Sequence, residues 1–279
     1  MSFQNTWRWF KCTTKKIGGK CWGIWFLDPP KDISLDGYRI DNVIQYTDGV
    51  ILFYFSIVVL LMIYFLIRYR SRSGHKAEYI HGNSKKYVIF SLVMGMLVFL
   101  TVDVVIEGMA FKDLKEAFWN FPKGPNVVRV EVMPQQFAWN FRYAGADGEF
   151  GNEDDLIPAQ NQMHIPVNTP VVIQIAPYDV IHSFFIPNFR VKVDATPGMI
   201  NTMWFQATET GNFEIACAEL CGNSHYRMRG FLTVDSPADY QKWLNSLEEE
   251  GEPEEDDWGD EDEDEGIPTY WGWAWKESI

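Results

Sequence analysis

Cys217-Ala218-Glu219-Leu220-Cys221-Gly222-Asn223-Ser224-His225-Tyr226-Arg227-Met228 puts two thiols, an imidazole and a thioether into twelve residues. These are soft or borderline donors, the set that suits copper rather than magnesium or calcium. Cysteine binds metals as thiolate, and a spacing of three intervening residues lets Cys217 and Cys221 offer both sulfurs to one centre. His225 follows Cys221 by four positions and Met228 by seven, so the loop can wrap that centre. A further imidazole, His182, stands upstream in Val180-Ile181-His182-Ser183-Phe184. Strand-like residues flank the loop, Gly211 to Ala216 before it and Gly230 to Val234 after it. The loop therefore reads as a turn between two strands, carried on a rigid platform.

Other segments upstream have the same character. Val127-Val128-Arg129-Val130-Glu131-Val132 alternates as a half-buried strand does. Gln136 to Tyr143 is aromatic and strand-like, and Val171 to Ile175 and Met203 to Ala207 follow with turns between. Short strands at this spacing predict an all-β sandwich over residues 127–235. Ser236-Pro237-Ala238-Asp239 then opens a helix, with Ser at the cap and Pro at the first position, that runs over 236–247.

Ahead of the sandwich the pattern is that of a membrane. Gly49 to Ile67 is 19 residues without a charge, about the length that crosses a hydrocarbon core of roughly 30 Å. Tyr87 to Ile106 is a second run, interrupted only by Asp103. The reading is a two-helix transmembrane hairpin within 43–110, with spans at about 49–67 and 87–107, and a linker over 111–126. Residues 68–86 hold Arg68, Arg70, Arg72, Lys76, Lys85 and Lys86 against Glu78. A short basic loop belongs on the cytoplasmic side, so both termini and the sandwich are expected outside. Asp103 and Glu107 share a helix face near the outer interface, where anchoring or pairing with a partner subunit explains them.

The net charge of −14 is local. Fourteen acids and no Lys or Arg lie between Glu248 and Glu265, and without them the chain carries 24 acidic and 24 basic residues. No nucleic-acid partner is expected of such a chain. The segment 248–279 reads as an acidic tail with an aromatic end, Tyr270-Trp271-Gly272-Trp273-Ala274-Trp275, suited to docking on protein or at a membrane interface. Residues 1–42 form an extracytoplasmic N-terminal tail; no apolar run follows their basic residues, so a cleavable signal peptide is not expected. Its Cys12 and Cys21 read as two ordinary thiols or one local disulfide. There is no Cys-x-x-Cys-His, hence no covalent haem attachment of the c type.

Three metal-free or single-metal readings compete for the loop. A closed zinc site can use two Cys and two His but leaves Met228 without a role. A single blue copper uses one Cys, two His and a weak Met, one sulfur fewer than are present. A redox dithiol accounts for the cysteines alone. Two thiolates bridging two copper ions use every donor.

At these residues the chain resembles subunit II of cytochrome c oxidase, of the haem–copper oxidase superfamily. The resemblance spans about residues 43–247 and rests on Cys217-x₃-Cys221-x₃-His225-x₂-Met228, on His182-Ser183-Phe184, and on Asp194-Ala195-Thr196-Pro197-Gly198. It implies a cupredoxin-like Greek-key sandwich tethered by the hairpin. It also implies a dinuclear copper centre bridged by Cys217 and Cys221, with His182 and His225 each on one copper, Met228 on one and the backbone carbonyl of Glu219 on the other. The Glu219 side chain would hold a magnesium ion shared with subunit I, and Asp194 would lie at that interface. The implied activity is acceptance of electrons from cytochrome c or a similar carrier and delivery to haem in subunit I, where oxygen is reduced to water with proton pumping. The alternative reading is a copper-delivery or thiol-redox assembly protein of the membrane.

Two positions depart from that family's pattern. Trp usually follows the Gln of the electron-entry surface; here Gln136 precedes Phe137 and the tryptophan is Trp139, so Phe137 and Trp139 are the entry candidates. Relatives carry a Glu four residues beyond the Asn of His81-Gly82-Asn83; this chain has Tyr87. Asp179 and the acids between Asp147 and Asp155 read either as a solvated acidic loop or as steering charge for a basic partner; their spacing is not that of an EF-hand.

Overall fold

The computed structural model describes residues 29–250, apart from 75, 77, 78, 146, 147, 149, 152 and 153. Cys12, Cys21, the acidic residues beyond 250, the aromatic end, and Asp147, Glu149 and Glu153 of the acidic loop lie outside the described residues.

Helix α1 runs Gly37–Arg68, 32 residues, or about 48 Å at 1.5 Å per residue. It therefore starts twelve residues ahead of the apolar run at Gly49. Helix α2, Lys85–Thr101, continues as α3, Asp103–Asp113, after a one-residue irregularity at Val102, and ends in a π turn, Leu114–Phe118. The sequence reading ends the second span at 107, whereas helical structure continues eleven residues further. None of the apolar window of either long helix is buried within the chain, as expected of side chains solvated by lipid.

The extra turns form a stalk that holds the sandwich. Arg39 of α1 pairs with Asp113 of α3 at 2.9 Å and with Asp36 at 2.8 Å. Arg190 pairs with Asp41 at 2.7 Å, and Trp204 donates to the Ala117 carbonyl at 2.7 Å. Ser34 forms a bridge with Ala207, and Ile33 and Leu35 hydrogen-bond to Asn188, Thr208 and Gln206. Asp103 opens α3, close to where Tyr46 donates to the Thr101 carbonyl.

The sandwich has nine strands: β1 Val128–Gln135, β2 Ala138–Tyr143, β3 Gln162–Pro166, β4 Pro170–Ile175, β5 His182–Ile186, β6 Val191–Ala195, β7 Asn201–Gln206, β8 Gly211–Cys217 and β9 Arg229–Asp235. One sheet has the order β2-β1-β4-β7 and the other β3-β9-β8-β5-β6. Inward residues alternate along the strands, as the pleat requires. Trp139, Phe141 and Tyr143 of β2, Ile173 of β4, Phe184 of β5, Ile215 of β8 and Leu232 of β9 are all buried in one core.

The alternation in β1 predicts that Glu131 faces water. Instead Glu131 is buried opposite Arg142 in the β1–β2 ladder. Arg142 Nε donates to Glu131 Oε2 at 2.6 Å and Nη1 lies 3.4 Å from Asp155. Beyond β2, the Phe150 ring lies 5.7 Å from the Arg142 guanidinium, Asp155 meets it and Leu156 bridges to Tyr143, so the outer side of the strand becomes an interior.

Helix α4, Pro237–Glu250, starts as its capping signal predicts and extends three residues beyond Leu247. Asp239 N donates to Ser236 Oγ at 3.2 Å, and that hydroxyl donates to Asp239 Oδ2 at 2.6 Å. Trp243 stacks on His164 with centroids 4.4 Å apart, and His164 Nδ1 meets Asp235 at 2.7 Å. The helix is thereby fixed to the β3–β9 edge.

Candidate metal centre

The loop between β8 and β9 is closed at its base by its strands. Cys217 N donates to the Met228 carbonyl at 3.3 Å, and Ala218 N donates to the Ser183 carbonyl at 3.0 Å. The β5–β8 ladder sets Phe184 opposite Cys217, which brings His182, the first residue of β5, to the same end. A short turn, His225–Arg227, folds the far side of the loop back, with His225 N donating to the Gly222 carbonyl at 3.1 Å.

Six donors converge there. The Cys217 and Cys221 sulfurs are 3.8 Å apart. His182 Nδ1 lies 3.9 Å from the first sulfur and His225 Nδ1 lies 3.7 Å from the second. The Glu219 carbonyl is 3.2 Å from Cys217 Sγ, and Met228 Sδ is 3.7 Å from Cys221 Sγ. Each sulfur therefore has its own imidazole nitrogen and its own weak donor. Among the described residues, His182, Cys217 and Cys221 form a group with ligand atoms all within 4.8 Å of one another. This donor set fits a pair of copper ions, because soft sulfur and imidazole ligands are grouped in two like halves.

Electrostatics favour ionisation of one sulfur and oppose that of the other. Burial is the largest influence on Cys217 and opposes its ionisation, yet the hydrogen bonds from His182, the loop backbone and His225 together hold the thiol down at about 6. Burial and the adjacent Cys217 sulfur push Cys221 up to about 12. Two neighbouring thiolates repel, so the second ionises only when positive charge arrives. His182 itself is buried, which disfavours its imidazolium, but contact with Cys217 and Asp179 raises its pKa above the usual value.

Asp179 is an internal partner rather than a free steering acid. Its Oδ1 takes His182 Nε2 at 2.8 Å and Val180 N at 2.6 Å, while Oδ2 accepts from Gln136 N at 2.7 Å. Burial works against its charge, but the imidazole and the two amides hold the carboxyl below its ordinary range. Asp179 stands three residues before His182, in the loop that leads into β5, and that spacing alone does not announce the pairing.

The two aromatic candidates separate. Trp139 is fully buried, its ring 5.4 Å from Phe184 and 6.4 Å from His182. Phe137 is half-buried and lies over the ligand loop, where a Cβ on Gly222 would come within 3.0 Å of its ring. Of the two, Phe137 is the one that reaches the surface. Asp194 accepts from Ser183 Oγ at 2.7 Å and pairs with Lys192 at 2.6 Å; these contacts lower its pKa. It stands beside the site through Ser183 and has an exposed edge. The Glu219 side chain is exposed on the outer face of the loop.

A sequence profile described as cytochrome c oxidase subunit II, periplasmic domain, matches residues 129–234. The alternative cytochrome c oxidase subunit 2 of Bradyrhizobium diazoefficiens is 31% identical over 243 residues, covering 79% of this chain and 83% of that protein. Cytochrome c oxidase subunit 2 of Alkalihalophilus pseudofirmus is 31% identical over 200 residues, covering 70% and 55% of the two chains. The crystal structure of the periplasmic domain of subunit II of cytochrome oxidase from Bradyrhizobium japonicum aligns with 30% identity and a TM-score of 0.40, over 46% of this chain and 97% of that one. With its two apolar helices, its sandwich and its ligand loop, the chain belongs to the cytochrome c oxidase subunit II family.

Proposed function

We propose that the chain is the electron-entry subunit of a respiratory oxidase, holding two copper ions between Cys217 and Cys221. The observation that carries this reading is the matched pair of half-sites, with each sulfur next to one imidazole nitrogen and one weak donor. When bound, such a copper pair takes one electron at a time and shares it between two metals. His182 and His225 would ligate through Nδ1, the nitrogen each turns to a sulfur. Met228 and the Glu219 carbonyl would be the weak donors that tune potential.

The protein's own residues do the rest. Asp179 fixes the His182 ring and its tautomer. Trp139, Phe184 and Ile215 exclude water behind the ligands, and a dry shell tunes the centre further. Phe137 offers an apolar contact over the loop to an incoming cytochrome c or similar carrier. Glu219 and Asp194 face outward where subunit I, its haem and a shared magnesium ion would lie. Oxygen reduction and proton pumping belong to that partner. The basic loop 68–86 supports a cytoplasmic position for this end of the hairpin, with the copper domain outside.

The test is electron paramagnetic resonance of the full chain, copper-loaded in detergent. Hyperfine structure from two equivalent coppers is expected. A single-copper or silent spectrum overturns the reading. A dithiol redox role leaves His225 and Met228 with nothing to do, although both sit within 3.7 Å of Cys221 Sγ.

A further inference from the structure

We propose that Gln136 is a positioning residue that ties together the two chain segments carrying the ligands. The inference rests on the copper reading above and concerns a residue outside its donor set. Gln136 lies in the turn between β1 and β2, away from both ligand loops in sequence. Its side-chain Nε2 donates to the Cys221 carbonyl at 2.6 Å. Its backbone N–H donates to Asp179 Oδ2 at 2.7 Å. The other oxygen of Asp179 meets His182 Nε2 at 2.8 Å. One residue thus grips the Cys221 loop on one side and, through Asp179, the His182 segment on the other.

The local backbone is built around this grip. Gly222, next to Cys221, has φ +139°, and a Cβ there would stand 2.7 Å from Gln136 Nε2 and 3.0 Å from the Phe137 ring. Only glycine leaves room for the amide to lie against the loop. The amide orientation follows from chemistry: a carbonyl acceptor needs the NH₂ end of the side chain. A movement of the Cys221 carbonyl moves the whole residue and so its sulfur. The two sulfurs are 3.8 Å apart, and the equality of the two half-sites depends on holding that relationship. Cys217 needs no such tie, because its own strand and the Phe184 register already hold it.

Gln136 is exposed on its outer edge, so replacing it opens no core cavity. The experiment uses the copper-loaded full chain in detergent with three variants. Gln136→Met keeps the length and loses the donor. Gln136→Glu sets a carboxylate against the Cys221 carbonyl. Gln136→Lys restores a donor of similar reach. Copper release to excess EDTA, hyperfine structure and midpoint potential are measured for each. Gln136→Met and Gln136→Glu are expected to lose copper about tenfold faster, the lower end for partners of metal ligands, with the two coppers becoming inequivalent and the potential shifting. Gln136→Lys is expected to stay near the parent. Parental release, spectrum and potential in Gln136→Met and Gln136→Glu overturn the proposal, and so does a Gln136→Lys chain that behaves like Gln136→Met, which would assign the effect to packing. A parent chain with a single-copper spectrum removes the copper-pair reading instead, and the release rates of the bound copper still decide the role of Gln136.

Discussion

His182 is held between Asp179 and Cys217: its Nε2 lies 2.8 Å from the Asp179 carboxylate and its Nδ1 lies 3.9 Å from the Cys217 sulfur. The ring cannot rotate to present the other nitrogen without losing the carboxylate. Asp179→Ala is therefore expected to lower copper affinity by about ten- to a hundredfold, the usual cost of deleting such a partner. Asp179→Asn, which keeps a hydrogen-bonding group, should fall between the two. Competition with a chelator of known affinity measures both.

A second prediction concerns Glu131. Burial raises its pKa to about 7, with the charge of Asp155 adding to the effect and Arg142 opposing it. Its Oε1 has no hydrogen-bond partner among the described residues, which suits a group that takes up a proton. The folded-state value lies above the unfolded one of about 4.3, so the folded chain binds the extra proton. The associated stability is complete below about pH 4.3 and is lost as pH rises through 7. Denaturant unfolding of the metal-free Cys217→Ser chain, which lacks the lowered thiol that acts in the opposite sense over this window, should show a higher midpoint at pH 5 than at pH 7.5. Glu131→Gln should lose most of that difference, and an unchanged pH profile in this variant would assign it to another group.

The same residue shows where sequence reading stops. Val-Arg-Val-Glu-Val in 128–132 alternates, and alternation says only which side chains share a face. It does not say whether later residues cover the other face, as Phe150 and Asp155 do here at Arg142. The ligand loop is legible because all but one of its donors lie within twelve residues. The spans are legible because lipid requires continuous apolar surface. Strand β3 is harder to see, since Gln162–Pro166 is five residues with a histidine at its centre. The partners Asp179 and Gln136 are legible only in part: a lone acid and a lone amide look like solvated surface until the fold brings Gln136 to within 2.6 Å of Cys221. The outer turns of the hairpin carry charges, so hydropathy ends each span where the membrane ends and not where the helix does.

A third prediction follows from that stalk. Arg190 is nearly buried and pairs with Asp41 of α1 at 2.7 Å. Strand β5 separates it from the metal end by four residue steps from His182 to Ile186, about 13 Å at 3.3 Å per residue. Arg190→Ala should destabilise the sandwich by about 1–3 kcal/mol, the range for losing hydrogen bonds to a charged group. The copper spectrum should not change. Thermal unfolding followed alongside the spectrum separates the two effects, and a variant that alters the spectrum as well would show that the stalk strains the centre.

The last prediction separates tuning from holding at Met228. Its side chain is buried, with Sδ 3.7 Å from Cys221 Sγ. A thioether is a weak ligand in such sites and mainly sets potential. Two cysteines and two histidines remain when it is removed, enough to retain both metals. Leu is close to Met in volume and costs under about 1.5 kcal/mol in packing, so Met228→Leu isolates the sulfur. Redox titration of the copper-loaded variant should give a shifted midpoint potential at full copper content. The hyperfine pattern should become less symmetric, because only one half-site has lost its weak donor. Loss of both coppers would instead mean that Met228 holds the loop in place. That result would move the burden of assembly from the cysteines to the end of the loop, where the Met228 carbonyl also receives the Cys217 N–H at 3.3 Å.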